Sequence, residues 1–305
     1  VLKNRESSIY KAYFKGLRFD RDNPCRDGLD YETWDGHYEL VKWNLTHPDV
    51  RKLLLGIGET WIRRYGIDGL RIDAADVMDK DFLMALKSRC VDVKREVVES
   101  GEQKDFHQPF AFICEVVHGD YNGWLQGDFN DTVTNYECYK GLYSSLNDKN
   151  YFEIDYALKR QFGEGGIYAH QKVVNFVDNH DVNRIASVLK DRRHLYPLHV
   201  MLFTMPGTPS IYYGSEWGTE GLRDQYSDHQ LRRSWQQIVA SKDYSMEDCI
   251  KKLSSIRAQE DALCHGAYRP LFVKHQQMGY TRSHGGEQIH CLFNSDEHEA
   301  AIPIP

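Results

Sequence analysis

Three carboxylates follow short apolar runs at separate points of this 305-residue chain. Asp73 follows "GLRI", Glu115 follows "FAFIC", and Asp181 closes "NFVDNHD". One carboxylate that attacks a sugar and one carboxyl that protonates the leaving oxygen can together break a glycosidic bond with retention of configuration. Any one of these acids alone could equally cap a helix or form an ion pair, but three in matching contexts favour this chemistry.

The neighbours of the three carboxylates fit such roles. Arg71 lies two residues before Asp73, on the same face of a strand, where it can donate to the carboxylate and favour its ionised form; a purely structural ion pair is the alternative. Glu115 follows three apolar residues, and an apolar setting favours the neutral form that a proton donor needs. His180 precedes Asp181 directly, and the alternative for this imidazole is a satisfied core histidine.

Alternating apolar runs and amphipathic stretches indicate how these side chains are positioned. Pro48 and Gly66 delimit a predicted helix, and a second helix is predicted from Asp81 to Val98. Short apolar runs between such stretches predict strands of a parallel sheet. Reactive side chains just past the carboxyl ends of these strands would converge in the active site of a (β/α) barrel.

The two ends of the chain differ from this pattern. The segment from Val1 to about Tyr38 is rich in Gly, Pro and Asp and predicts irregular loops after one short helix. Beyond Asp248, "IKKLSSIRAQEDAL" predicts a final helix. The following residues alternate like antiparallel strands around a turn at Gly285 and Gly286, which indicates a small separate β domain.

Three segments resemble signature regions of the α-amylase superfamily, glycoside hydrolase family 13. They are "GLRIDAA", "ICEVVHGDY" and "NFVDNHDVNR", in the order and approximate spacing of that family. The resemblance implies that Asp73 is the nucleophile, Glu115 the general acid/base and Asp181 the stabiliser of the transition state. It also implies that Arg71 and His180 contact substrate.

Further segments resemble the neopullulanase and cyclomaltodextrinase subgroup. In "ELVKWN", Lys42 and Asn44 agree with a short motif of that subgroup, whereas Val41 and Trp43 depart from it. "GDFNDTVTNYE" is also similar to the subgroup. His118 resembles a substrate-contacting residue of these proteins.

The same resemblance bears on two other acidic residues, Asp228 and Asp178. Asp228 and Arg232 have a D-x-x-x-R spacing that grips a more distant sugar in the relatives, although a solvated surface pair fits the spacing equally well. Asp178 falls at a position that the family does not use in catalysis.

The resemblance implies an α/β fold, a (β/α)8 TIM barrel of which strands four to eight are present. Residues 1–45 would be a loop-rich insert after the third strand, 46–263 the barrel, and 264–305 the start of a C-terminal antiparallel β domain. The family's first signature region has no counterpart in the sequence. Because five strands would leave an open sheet edge, we expect the chain to be an excerpt that is poorly active alone.

The predicted function is hydrolysis of α-1,4 glucosidic bonds, with α-1,6 bonds as a further candidate, through a covalent glycosyl-enzyme. The substrates would be maltodextrins, cyclodextrins or starch-like glucans. One alternative is an α-glucan transglycosylase, which passes the same intermediate to another sugar. A second is a catalytically impaired glucan-binding fragment, although all three carboxylates are present.

Composition limits the partners. The formal net charge of -7 does not favour binding to nucleic acid, which needs a basic surface. No apolar stretch reaches the roughly 18 residues of a membrane helix. The seven cysteines are scattered singly, which favours a reducing compartment and predicts the cytoplasm. A homodimer is among the assemblies expected.

No cofactor is predicted, with Ca²⁺ as the one candidate. Asp20, Asp22, Asn23 and Asp27 form an oxygen-rich cluster, but their spacing does not match an EF-hand loop. A solvated acidic turn is the favoured interpretation of this cluster.

Overall fold

The computed structural model describes residues 1–103, 110–118, 121–125, 130–225, 227–240 and 242–302. The chain divides into two compact units: the first comprises Val1–Ile113 and Gly127–Asn130, and the second comprises Cys114–Gln126 and Asp131–Pro305. This division differs from the predicted partition into residues 1–45, 46–263 and 264–305, and that partition stays a prediction.

The first unit contains a hairpin, two long helices and two neighbouring strands. Its elements are β1 Thr33–Trp34, β2 His37–Val41, α1 Pro48–Tyr65, β3 Gly69–Ile72, α2 Lys80–Glu99 and β4 Ala111–Cys114, which ends at the unit boundary. Short 3-10 turns lie at Arg5–Ser7, Lys11–Tyr13 and Ala75–Val77.

Helix α1 begins and ends where the sequence predicts. Pro48 occupies the first turn, where its missing N–H is not needed. Gly66 ends the helix in the left-handed conformation with φ 65°, and its N–H donates to Ile62 O. At Gly58 a β-carbon would lie 3.1 Å from Cys90 Sγ of α2, so this glycine allows the two helices to pack closely.

The amino-terminal segment is more ordered than predicted. Instead of one helix followed by loops, it has two 3-10 turns and the hairpin of β1 and β2, with Trp34 paired to His37. Asp35 and Gly36 make the turn with φ 45° and 79°. An Asp-Gly pair with two positive φ angles is a strong hairpin signal, and the prediction treated it as a plain loop.

The second unit alternates helices with parallel strands and ends in three antiparallel strands. Its elements are α3 Asn122–Leu125, β5 Thr132–Thr134, α4 Tyr136–Asn147, α5 Phe152–Phe162, β6 Val173–Phe176, α6 Ile185–Val188, α7 Leu195–Thr204, β7 Thr208–Ser210, α8 Trp235–Val239, α9 Tyr244–Gln259, α10 Asp261–His265, β8 Ala267–Val273, β9 Gln277–His284 and β10 Glu287–Asn294. The 3-10 turns Arg192–His194 and Ser215–Trp217 complete the set.

Strands β5, β6 and β7 are consecutive and parallel, as the alternating pattern predicts. Val133 pairs with Val173, and Phe176 pairs with Ser210. Helices follow β5 and β6 before the chain enters the next strand, which is the βα arrangement expected of a barrel. The core of the unit is built from buried apolar side chains that include Val133, Leu142, Leu146, Ile154, Val173, Leu198 and Leu202.

The predicted antiparallel tail is also present. β8, β9 and β10 form a three-stranded sheet in which β9 lies in the middle. Gly285 and Gly286 join β9 to β10 with φ 56° and 91°, as a two-residue hairpin turn requires.

The single helix predicted beyond Asp248 is wrong in its bounds. Asp243 caps α9 by accepting from the backbone N–H groups of Ser245 and Met246, so the helix begins earlier. Glu260 leaves the helical conformation with φ -112° and ψ 101°, and the remaining residues form the separate helix α10.

Arg282 of β9 is buried beneath this sheet and binds backbone carbonyls. Its Nη1 lies 2.6 Å from Thr204 O, the last residue of α7, and its Nη2 lies 2.8 Å from Gly266 O. Burial lowers the pKa of its guanidinium to about 10. Because a cation at a helix carboxyl end stabilises the helix dipole, we expect Arg282→Met to lower the free energy of unfolding by about 3 kcal/mol.

Arg269→Met in the neighbouring strand β8 is the matched control for that measurement. Arg269 is exposed, and its replacement should change the free energy of unfolding by less than about 0.5 kcal/mol. Equal midpoints for the two variants would show that the buried contacts of Arg282 contribute little.

Candidate active site

The three predicted carboxylates, together with Tyr136, which was not predicted, follow the carboxyl ends of strands in the two units. In the first unit Asp73 comes directly after β3. In the second unit Glu115 begins the segment after β4, Tyr136 lies two residues after β5, and Asp181 lies five residues after β6. The placement at strand ends is therefore as predicted in each unit.

Asp73 is bound by Arg71 within the first unit. Arg71 Nη1 donates to Asp73 Oδ1, the pair expected from their shared strand face. The Asp73 side chain is nevertheless 76% exposed and lies on the wall of a cavity of about 820 Å³. Ala74 follows with φ 43°, a rare conformation for a residue with a β-carbon. Arg71 therefore fixes the carboxylate while leaving it accessible.

Glu115 is nearly removed from water, with 6% of its surface exposed. Tyr136 Oη donates to Glu115 Oε1 over 3.0 Å, and Asn179 Nδ2 donates to Tyr136 Oη over 3.0 Å. Burial raises the pKa of Tyr136, so its hydroxyl keeps its proton throughout the neutral range. Tyr136 thus connects Glu115 to the "NHD" segment.

Two contacts fix the position of Tyr136. The Tyr121 hydroxyl accepts from the backbone N–H of Tyr136 over 3.0 Å, at the first residue of α4. The Tyr136 ring packs edge-on against Phe176 of β6, with ring centroids 4.8 Å apart. Because Tyr121 is fully buried, the side chain that reaches Glu115 has a rigid base.

The "NHD" segment is held in a tight turn. Asn179 Oδ1 accepts from the backbone N–H groups of Asp181 at 2.8 Å and Val182 at 3.1 Å. The turn brings His180 Nε2 to 3.0 Å from Asp181 Oδ2. The imidazole and the carboxylate therefore form one polar pair.

Arg232 completes this pair from a distant part of the sequence. Its Nη2 lies 3.0 Å from Asp181 Oδ1, and its Nε donates to His180 O over 3.2 Å. Asp228 lies 3.5 Å from the same guanidinium, so the predicted D-x-x-x-R pair forms. It is more than a surface pair, because Arg232 binds both Asp228 and Asp181.

The second unit thus brings together five of the eight predicted site residues: Glu115, His180, Asp181, Asp228 and Arg232. Asp73 and Arg71 pair with each other in the first unit. His118 lies in an exposed bend after Glu115, near the end of a described stretch. The catalytic and binding roles of all eight stay predictions.

Asp178, which the resemblance leaves out of the catalytic set, is held by contacts within the second unit. It is buried and accepts from Ser215 Oγ at 2.7 Å and from the backbone N–H of Ile185 at 2.9 Å. Burial raises the pKa of this carboxyl.

The oxygen-rich cluster near the amino terminus is occupied by its own hydrogen bonds. Asn23 Nδ2 donates to Asp27 Oδ1 over 2.7 Å, and Asp22 Oδ1 accepts from the backbone N–H of Gly28 over 2.8 Å. Within the described residues, no group of three or more His, Cys, Asp or Glu side chains is arranged for a metal ion. The expectation about cofactors stays a prediction.

Tyr136 was missed in the sequence, although a signal was present. It follows the strand "TVT" in the same way that Glu115 follows β4, and a polar aromatic at such a position faces the same end of the sheet. The first residues of the similar segment "GDFNDTVTNYE" lie outside the described residues.

None of the helices in the described stretches combines the length and apolar character that crossing a bilayer requires.

Comparison with known proteins gives one family. The sequence profile "Alpha amylase, catalytic domain" matches residues 29–263. A cyclomaltodextrinase of Geobacillus thermopakistaniensis (strain MAS1) is 26% identical over 310 residues, which cover 100% of this chain and 49% of the relative. An intracellular maltogenic amylase of Bacillus subtilis is 27% identical over 96% of this chain and 47% of the relative.

A solved structure titled "Cyclomaltodextrinase" superposes with a TM-score of 0.82 at 27% identity. The match covers 97% of this chain and 48% of the solved chain. The chain therefore spans about half the length of the relatives that it matches.

Proposed function

Since the chain belongs to the α-amylase family, whose catalytic domain is a (β/α)8 barrel, we propose that its protein is a retaining glycosidase acting on α-glucans. The observation that carries the proposal is the buried Glu115, connected through Tyr136 and Asn179 to the pair of His180 and Asp181. A retaining glycosidase needs a proton donor beside its nucleophile, and Glu115 is the candidate for that donor.

The first step forms a covalent glycosyl-enzyme. Asp73 attacks the anomeric carbon, and the bond from that carbon to the glycosidic oxygen breaks. Glu115 delivers its proton to this oxygen, so the departing sugar leaves as a neutral alcohol. Arg71 holds Asp73 in place for the attack, which is supported by their hydrogen bond.

The second step returns the enzyme to its starting state. Glu115, now a carboxylate, takes a proton from water, and the resulting oxygen nucleophile attacks the anomeric carbon. The ester bond to Asp73 breaks, and its carboxylate is regenerated. Two inversions at one carbon give a product with the original α configuration.

Asp181 and His180 act on the sugar during both steps. A carboxylate near the ring opposes the positive charge of the oxocarbenium-like transition state. Arg232 binds Asp181, and this pairing keeps the Asp181 carboxylate, whose side chain is 38% exposed, in one orientation.

The substrates proposed are maltodextrins and cyclodextrins, with α-1,4 links as the primary bonds and α-1,6 links as a further candidate. The names of the relatives, cyclomaltodextrinase and maltogenic amylase, support this choice. An intracellular, cytoplasmic location belongs to the same proposal. It is supported by the name of the B. subtilis relative and by seven singly scattered cysteines. A homodimer stays a prediction.

The test uses proton NMR of the full-length protein with maltotriose and a cyclodextrin. We expect the first product formed to carry the α anomeric signal, with the β signal appearing only by later mutarotation. An initial β signal would exclude retention, and no cleavage of either sugar would remove the glycosidase proposal.

Transfer of the sugar to a second sugar is the competing reaction. It uses the same intermediate, and only the acceptor differs. Early maltotriose products longer than the substrate would indicate a transferase, whereas glucose and maltose alone would indicate hydrolysis.

Tyr136→Phe is expected to lower kcat/KM for maltodextrin by about tenfold to hundredfold. The change removes one hydroxyl that donates to Glu115 and accepts from Asn179. A hydrogen bond to the carboxylate that forms as Glu115 gives up its proton contributes about 1.5–3 kcal/mol. The measurement is steady-state kinetics, together with thermal unfolding to confirm that the variant is folded.

Tyr139→Phe is the matched control, because Tyr139 lies one turn along α4 and its ring stacks on Phe176. Its activity should remain within about twofold of wild type. If Tyr136→Phe and Tyr139→Phe are equally active, the contact with Glu115 has no part in the reaction.

A further inference from the structure

Arg184, three residues after Asp181, is a buried arginine that the reaction does not use directly. Its residue surface is 0% exposed. Burial lowers the pKa of its guanidinium, and the charge of Asp178 opposes that effect. Since burying a cation is costly, its contacts must compensate.

These contacts go to both ends of one segment. We call residues 212–225 and 227–232 the exit segment, because they follow strand β7. Arg184 Nη1 donates to Tyr213 O over 2.7 Å near its start, and Arg184 Nε donates to Leu231 O over 2.9 Å near its end. The guanidinium carbon also lies 4.0 Å from the centre of the Tyr212 ring.

The middle of the exit segment is bound by the same residue. The backbone N–H of Arg184 donates to Gly221 O over 2.9 Å. A β-carbon on Gly221 would collide with Gln230 O and would lie 3.2 Å from Arg184 Cγ. The segment therefore folds back tightly on itself against Arg184.

Asp178 provides a second attachment. Ser215 Oγ of the exit segment donates to Asp178 Oδ1 over 2.7 Å and lies 3.5 Å from Arg184 Nη1. The segment containing Asp178, Asp181 and Arg184 thus holds the exit segment by side chains on both sides of Asp181.

Leu231 directly precedes Arg232, whose Nη2 lies 3.0 Å from Asp181 Oδ1. We propose that Arg184 is a positioning residue that holds Arg232 against Asp181 through its hydrogen bond to the carbonyl of Leu231. The proposal rests on the proposed function, since it concerns the orientation of the transition-state carboxylate. In this proposal the orientation of the Asp181 carboxylate depends on the buried Arg184, which acts through Arg232.

The test is a double-mutant cycle in the full-length protein, with Arg184→Lys, Arg232→Ala and the double variant. Arg184→Lys keeps a cation but loses the fork that binds two carbonyls at once. We expect each single change to lower kcat on maltodextrin by about tenfold or more, with a smaller effect on KM. The double variant should be no more than about twofold worse than Arg232→Ala, because Arg184 acts through Arg232.

Arg192→Lys is the control. Arg192 also binds the exit segment, at Gly218 O and Glu220, but from the solvent side. Its kcat should stay within about twofold of wild type. If the effects of Arg184→Lys and Arg232→Ala multiply, or if Arg184→Lys and Arg192→Lys are equally active, the positioning role is wrong.

A second measurement separates this proposal from the proposed function. Hydrogen exchange of the amide groups of Leu231 and Arg232, which donate to Asp228 O, requires no substrate. These amides should exchange at least tenfold faster in Arg184→Lys than in wild type or Arg192→Lys. Unchanged exchange would overturn the positioning role even in an active enzyme. If exchange is faster in Arg184→Lys but the wild-type protein cleaves no glucan, only the proposed function is overturned.

Discussion

Asp73→Asn in the full-length protein is expected to lower kcat/KM for maltodextrin by about 10⁴-fold or more. An amide is neutral and cannot form the ester bond to the anomeric carbon, so the covalent route is lost. The position supports this size of effect, because Arg71 binds one carboxylate oxygen while 76% of the side chain remains exposed at a cavity. Initial rates of reducing-sugar release measure the change.

Asp76→Asn is the matched control for Asp73→Asn. Asp76 is exposed in the 3-10 turn that follows, and its change removes the same charge from the same loop. Its activity should remain within about twofold of wild type. More than about a tenth of wild-type activity in Asp73→Asn would mean that another group is the nucleophile.

Glu115→Gln is expected to have the second large effect, and its size should depend on the leaving group. Hydrolysis of maltotriose should fall by about 10³-fold or more, because glutamine has no proton to give to the departing sugar. The rate of the first step with α-maltosyl fluoride should fall far less, since fluoride leaves without protonation. Stopped-flow release of fluoride and initial rates of maltotriose cleavage, each relative to wild type, compare the two substrates.

The same variant allows the intermediate to be observed. With α-maltosyl fluoride, Glu115→Gln should accumulate a maltosyl ester, because water is no longer deprotonated for the second step. Mass spectrometry of peptides should locate the added maltosyl group on Asp73. Azide should restore turnover and give α-maltosyl azide, since two displacements preserve the configuration.

Glu164→Gln, an exposed carboxylate on the loop after α5, is the control and should behave as wild type. An equal loss of rate on maltotriose and the fluoride in Glu115→Gln would contradict the proton-donor role. A maltosyl group on a residue other than Asp73 would contradict the nucleophile while leaving the covalent route intact.

Local features of the sequence determined most of the secondary structure. Pro48 and Gly66 delimit α1, and the apolar runs before Asp73 and Glu115 correspond to β3 and β4. These features act within a few residues, through fixed φ angles, caps and periodic burial, so they can be read without the fold. The Asp35-Gly36 hairpin turn is equally local, because its two positive φ angles favour an Asp-Gly pair.

Motif spacing also indicated where the reactive side chains lie along the strands. A carboxylate after an apolar run reaches the carboxyl end of a strand because the chain leaves the sheet there. The sequence thus placed Glu115 and Asp181 beyond the carboxyl ends of their strands.

Tertiary structure alone decided which side chains meet. Tyr136 contacts Glu115 across 21 residues of sequence, and Arg232 contacts Asp181 across 51. Arg184 donates to the carbonyls of Tyr213 and Leu231, which lie 29 and 47 residues away in sequence. Such pairs depend on how loops return after the strands, and loop paths are set by many weak long-range contacts. Periodicity and capping depend only on neighbours in sequence, so they do not predict these long-range contacts.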